Sequence, residues 1–467
     1  MCFGAILKDM LSVVILGLIV VVTILFFSRL IWSKVEFPWL DKLCTYLVLS
    51  LPFEFFPRID IAGSGFRISQ LLVLVGCWFI IILALKKNSN LLTSQVNNWT
   101  IFPFVFILSS IPSWLLVQDW QRFAVHWLGS VLVFGAMLIL ANFATDIWSK
   151  LKKLSLVLVG CSIFGLYQFV GDLVGLPTGL REHYTKAVFG IPRVQGTAVE
   201  PLYFAGMLIV AMFILLTCLL SEEKLPQPTW LTKNLKINSR LYILILLSIV
   251  SLAFVLTISK GSFAVLFLIL PIALICGYFK FGFWNELVKK YFISVFLFLV
   301  LVFISAFTFG DPVAALGSIG SNMIETIAGT SPSAIERNMY STAAIEVLPQ
   351  NIIQGIGMGQ YASYVGDNLG NLNADRKAIV NNIYLELCLE NGLIAMFIFL
   401  LLLIYCVIIV FKKINLSTFY INSNTNELVS FAILFSLVAY FLQWTLFSPL
   451  FIMPIFILLG LGLNNLG

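Results

Sequence analysis

The sequence predicts an all-α polytopic membrane protein of roughly 12–13 transmembrane helices, with one large outer loop that contains short helices. Three observations predict it. Of the 467 residues, 60% are hydrophobic and only 11% are charged, and the mean hydropathy is +1.02, outside the range of soluble domains. Apolar runs of about 20 residues recur along the whole chain, each long enough to cross roughly 30 Å of hydrocarbon. Their period is helical, and no ~10-residue alternating segments point to a barrel.

In chain order the expected spans lie near 11–31, 40–56, 68–85, 100–118, 123–143, 154–176, 198–220, 240–258, 263–279, 291–309, 382–411, 428–447 and 450–465. The first is too long and too apolar for a cleaved leader, and no small-x-small site follows it. The whole chain, 1–467, therefore reads as a single integral membrane domain.

Charge orients the bundle. Lysines such as Lys42, Lys86, Lys87, Lys150, Lys152, Lys153, Lys224, Lys412 and Lys413 fall on one side, which the positive-inside rule makes cytoplasmic. The other side holds only Lys186, Lys260 and Lys377 among the lysines, but seven of the nine arginines: Arg58, Arg67, Arg122, Arg181, Arg193, Arg337 and Arg376. The net charge of +6 is thus topological, with membrane lipids and not nucleic acid as its partner. An arginine-rich outer face calls for a second explanation, and the planar guanidinium fork suits carboxylate or phosphate.

The eight cysteines stand singly, mostly within apolar runs, and read as small buried hydrophobes. The two histidines, His126 and His183, form no cluster with them, so no metal site and no cofactor is expected.

Two outer connections are long, 177–197 and 310–380, and both are expected to cover the working site. In the longer one, Ser333 and Glu336 form a capping box that should start a helix running to about Leu348, where Pro349 stops it. Arg337 then sits in the first turn, against the macrodipole. Gly355, Gly357 and Gly359 follow a helix, not a strand, and read as a tight turn. At the return to the membrane, Asn381 or Asn382 can cap the next helix, and Asn382, Glu386 and Glu390 share one face of it. Carboxylates leading into an apolar span must face protein, water or substrate. Pairing with an arginine and a chemical role are both open for them.

At these residues the chain resembles the O-antigen ligase and polymerase superfamily. AIVNNIYLELCLENGLIAMF matches its signature HN-x-YL-x-x-x-x-E-x-G, apart from Asn381 at the histidine position. The stretch from Arg193 to Gly206 resembles the family's R-x-x-G-T-x-x-x-P-x-x-x-A start of a central span, and Ser259-Lys260-Gly261-Ser262 resembles its S-R-G/S turn. The three pieces occur in the family's order between about 190 and 411.

The resemblance implies a multi-pass enzyme of the bacterial plasma (inner) membrane that uses a polyprenyl-diphosphate-linked glycan as donor. The acceptor is a glycan or a lipid-linked glycan, and chain-length regulators or flippases are candidate protein partners. Arginines are implied to hold the diphosphate, with Arg193, Lys260 and Arg337 first, then Arg181 and Arg376. The base would be a carboxylate: Glu200 first, two helical turns from Arg193 if that stretch is helical, with helix capping as its other reading. Asp375 and Glu390 follow, then Asp367 and His183. Asn381 cannot act as a base, which favours polymerisation over ligation. Ligase, protein oligosaccharyltransferase and, from another class, a glycan flippase or transporter remain the alternatives. Arg58, Arg67 and Arg122 are assigned to headgroup contact.

Overall fold

The computed structural model describes residues 38–53, 58–61, 64–86, 101–180, 184–185, 192–198, 200–221, 223–227, 238–281, 332–368, 379–414, 425–445 and 453–464. Their helices are α1 Pro38–Leu49, α2 Ile68–Lys86, α3 Ile101–Ser109, α4 Trp120–Phe143, α5 Ile147–Leu173, α6 Pro201–Leu220, α7 Ser239–Leu256, α8 Lys260–Phe281, α9 Pro332–Asn351, α10 Tyr361–Asn368, α11 Ile383–Lys412, α12 Thr425–Gln443 and α13 Met453–Asn464. One antiparallel hairpin, β1 Arg58–Ile61 and β2 Ser64–Arg67, occupies a stretch that reads in sequence only as polar.

Seven of these helices are long and apolar enough to cross a membrane: α4, α5, α6, α7, α8 up to Gly277, α11 and α12. The expected spans 11–31 and 291–309 lie outside the described residues. Hydropathy alone does not decide which spans are buried. The most apolar window, in α11, has a hydropathy of 3.4 and is 33% buried, whereas α12, at 1.6, is 67% buried. Around α11 the exposed positions Ile394, Phe397, Leu401, Ile404 and Ile408 recur at three- and four-residue steps. A stripe of that kind needs hydrocarbon as its solvent. This is a multi-pass membrane protein.

Of the seven, α6 is the most enclosed, at 89% buried, packed between α5, α7, α8 and α12. Its Pro201 occupies the first helical position, where the missing N–H is no loss. Helix α4 is the second pillar, packed against α13, where Gly460 lets the two backbones approach at Met137.

Hydrogen bonds tie the helix ends into two layers. At one end Asp41 accepts from the Lys150 ammonium (2.6 Å) and from Thr145 N (2.7 Å), and Lys152 meets Glu223 at 3.3 Å. At the other end Thr197 donates to Pro52 O, Val194 N to Leu256 O (3.1 Å), and Ile383 N to Trp444 O (3.1 Å). Lys42, Lys150, Lys152, Lys153, Lys224, Lys412 and Lys413 fall in the first layer, and Arg67, Arg122, Arg193, Lys260 and Arg337 in the second.

Two local expectations change. Helix α9 begins at Pro332, so Ser333 lies inside its first turn and is not the cap, and Arg337 falls in the second turn. Pro349 does not stop the helix, which continues to Asn351. So close to the end, the hydrogen bond that a proline removes is one of few remaining.

Candidate active site

Arg193 is held from three sides. Its backbone N–H donates to Tyr184 O (2.9 Å), its Nε–H donates to Thr257 O (3.2 Å), and its guanidinium carbon lies 5.7 Å from the centre of the Tyr184 ring. Next to it, Val194 N donates to Leu256 O, so the 192–198 loop is sewn onto the turn between α7 and α8. That turn carries Ile258 at φ 48, a left-handed conformation for a β-branched residue that costs about 1–3 kcal/mol. Strain of this kind persists where neighbours over-determine the backbone, as Thr257 and the buried Ser259 do here.

A guanidinium offers five N–H donors, and in Arg193 the Nε–H is the one spent on protein among the described residues. The four donors on the Nη nitrogens make up the remaining face. Burial pushes this half-buried guanidinium below its ordinary pKa, Tyr184 and Glu200 hold it up, and Arg337 adds a smaller push downward. Arg337 stands exposed on α9 and is therefore within electrostatic reach of Arg193. Its helix is pinned by Ser341 Oγ donating to Val380 O (3.2 Å) and by Tyr361 Oη donating to Tyr340 O (2.6 Å). Behind it, Ala343, Ala344, Ile356, Tyr361, Val380 and Leu389 form a small apolar core of their own.

Lys260 is the first residue of α8, three positions beyond the carbonyl that anchors Arg193, and it is exposed. Below it Ser259 Oγ and Ser262 Oγ lie 2.9 Å apart, and Gln443 Nε2 donates to Ser262 Oγ (2.7 Å) and to Leu202 O (3.2 Å). The buried Gln443 thus ties the Lys260 end of α8 to the first turn of α6.

Glu200 is the N-cap residue of α6, yet its side chain makes no cap hydrogen bond. It acts on both Arg193 and Tyr203. The route differs from the expected helical face: residues 192–198 form a loop, and the turn at Gly196–Thr197 folds Glu200 back towards Arg193. Tyr203 also lies in electrostatic reach of Arg67 and Glu386.

At the start of α11, Asn382 Oδ1 accepts from Tyr384 N and Leu385 N (both 3.1 Å), while Asn381 takes a left-handed φ of 61. Glu386 Oε2 accepts from Val380 N (2.9 Å). Glu390 is buried, and its oxygens accept from Gly359 N (2.7 Å) and Tyr361 N (3.0 Å), with Arg122 in electrostatic reach. The carboxylate fastens the glycine turn and the start of α10 to α11. Gly357 N and Ile356 N complete the clasp by donating to Glu390 O and Leu389 O, both at 2.9 Å.

The structure therefore brings Arg193, Arg337, Glu200 and the Lys260 turn to one end of the bundle, with Glu386 at the edge. Glu390, Asn381 and Asn382 serve local architecture in this geometry. Arg181, His183, Asp375 and Arg376 lie outside the described residues, as does the side chain of Asp367. Sequence reasoning passed over Tyr184, Tyr203, Gln168 and Gln443. The last two were legible as uncharged polar residues inside apolar spans, which rarely lack a partner. Among the described residues no group of three or more His, Cys, Asp or Glu could hold a metal ion.

Fold and site together define a multi-pass membrane protein that gathers Arg193, Lys260 and Arg337 at one end of its bundle. Residues 243–400 match the model of the O-antigen ligase family, which supports placing the chain in the O-antigen ligase and polymerase superfamily. That family comprises glycosyltransferase-like enzymes acting on lipid-linked glycans. The match spans α7 to the middle of α11 and so includes Lys260, Arg337, Glu386 and Glu390, whereas Arg193 and Glu200 precede it. No curated protein matches the chain.

Proposed function

We propose that this protein is a glycosyltransferase that polymerises polyprenyl-diphosphate-linked oligosaccharide repeat units at the outer face of the bacterial plasma membrane, without a metal. The observation that carries the reading is Arg193: a half-buried guanidinium anchored through Nε on Thr257 O and held 5.7 Å from the centre of the Tyr184 ring, with Arg337 in electrostatic reach. Pre-set donors in a water-poor pocket stabilise charge that develops on a leaving group. Lysines at the opposite end put the Arg193 end outside under the positive-inside rule.

In the proposed reaction the acceptor hydroxyl oxygen attacks the anomeric carbon of the donor glycan. The bond from that carbon to the diphosphate oxygen breaks, and its electron pair leaves with the diphosphate, held by Arg193 and Arg337 with Lys260 beside them. Glu200 takes the hydroxyl proton. Its place in electrostatic reach of Arg193 supports this role. Glu390 is left out of the chemistry because both of its oxygens accept backbone N–H groups.

Asn381 at the family's histidine position supports polymerisation over ligation, since an amide does not take up a proton at neutral pH. Transfer onto a lipid core or a protein is the alternative within the superfamily. Replacing Glu200 with glutamine is expected to lower kcat by on the order of 10²–10⁴ and to leave diphosphate binding intact. Steady-state kinetics with a lipid-linked oligosaccharide check this, and an unchanged kcat removes Glu200 as the base.

A further inference from the structure

We infer that Gln168, inside span α5, is a positioning residue that sets the Arg193 guanidinium for diphosphate; the inference rests on the reading of Arg193 above. Gln168 is 1% exposed. Its Oε1 accepts from Gly196 N (2.8 Å) and Gln195 N (3.3 Å), and its Nε2 donates to Gly196 O (3.2 Å) and Thr178 O (3.5 Å). One amide thus binds the backbone of two separate outer segments, the one after α5 and the one before α6.

A second amide repeats the stitch, with Gln195 Nε2 donating to Gly179 O (3.3 Å). The two segments flank Tyr184, whose ring centre lies 5.7 Å from the Arg193 guanidinium carbon and whose carbonyl accepts from Arg193 N. Gln168 holds the chain two and three residues after Arg193, and Thr257 holds the guanidinium itself. Both ends of the arginine are fixed, and the side chain does not have to be ordered when an anion arrives.

An isolated amide in an apolar helix is costly, and in water this loop would not need one. Its location, at the level where the Arg193 loop meets the span, matches a demand for precision. Gly196, at φ 56, has the ring of Phe204 where a Cβ would project, so the backbone lies flat against α6 and can meet Gln168. No apolar residue at 168 can direct a donor and an acceptor to that backbone together.

The test is a double-mutant cycle read by binding, so it needs no turnover. The probe is undecaprenyl diphosphate titrated into the detergent-purified chain, for wild type, Gln168→Leu, Gln168→Glu, Arg193→Ala and the Gln168→Leu/Arg193→Ala pair. Gln168→Leu is expected to weaken binding by on the order of 10²-fold. Gln168→Glu, which keeps the oxygen that accepts from Gly196, is expected to recover part of that loss. In the Arg193→Ala background the Gln168 change is expected to add nothing. Equal additional loss in both backgrounds, or wild-type binding by Gln168→Leu, overturns the inference while leaving the role of Arg193 in place. Wild-type affinity in Arg193→Ala overturns the reading of Arg193 itself. If Gln168→Leu does not fold, Gln168→Glu made with and without Arg193→Ala decides the same question.

Discussion

Replacing Arg193 with lysine abolishes glycan transfer while the bundle stays folded: this is the largest functional effect expected of any single charge-preserving change. Lysine keeps the positive charge but has no Nε–H to donate to Thr257 O and no planar fork to set beside the Tyr184 ring. Its ammonium is a hydrated point charge on a flexible stem, whereas the guanidinium is half-buried and already fixed. Removing one pre-set donor from a charge-stabilising site costs on the order of 10²–10³ in kcat, and this substitution removes a pair. The loop itself stays bound through Gln168 and Val194, so the thermal unfolding midpoint should hold. Turnover measured beside that midpoint is the check, and a kcat within a few-fold of wild type removes Arg193 from the site.

The second large effect is structural. Gly392 breaks α11 at φ 85 and ψ 165, a region open essentially to glycine alone. A Cβ there would also run into the Ile353 carbonyl, because the turn after α9 lies directly on this break. Gly355, on the facing strand of chain, has the Glu390 carbonyl in the same position. Alanine at 392 is therefore expected to cost about 3 kcal/mol or more from backbone strain and overlap together. The cost falls on the clasp that holds α9 and Arg337 over the site. Limited proteolysis should cut the 352–360 turn in Gly392→Ala and spare it in wild type, and transfer should fall with it. Equal resistance of the two proteins contradicts the clasp.

The bundle was legible because its signal is local. The apolar run 68–85 became α2, Ile68–Lys86, and 382–411 became α11, Ile383–Lys412. Boundaries moved where a distant partner decides them. Helix α5 starts at Ile147, not near 154, because Asp146 caps it and the Lys150 ammonium is buried against Asp41, more than a hundred residues away. The hairpin was illegible for a related reason: strands of four residues carry too little pattern to outweigh their charges.

The site divides in the same way. Arg193, Lys260, Arg337 and Glu200 could be named from residue type, sidedness and motif, and the structure places them at one end of the bundle. Glu200 arrives there through a loop, so the helical spacing that first suggested it was not the cause. Glu390 stood behind Glu200 as a candidate base, and a sequence does not show which backbone N–H groups a carboxylate will meet. Arg67 had a headgroup role by elimination, and only the folded chain brings it within reach of Tyr203.

The most direct measurement is a transfer assay with the purified chain, a radiolabelled polyprenyl-diphosphate oligosaccharide and a metal chelator. The products are separated by glycan length and by release of polyprenyl diphosphate. The account predicts a ladder of longer lipid-linked glycans, one diphosphate released per new glycosidic bond, and none of either with Arg193→Ala. Movement of the donor across a bilayer without any new glycosidic bond, or a ladder that persists in Arg193→Ala, contradicts it.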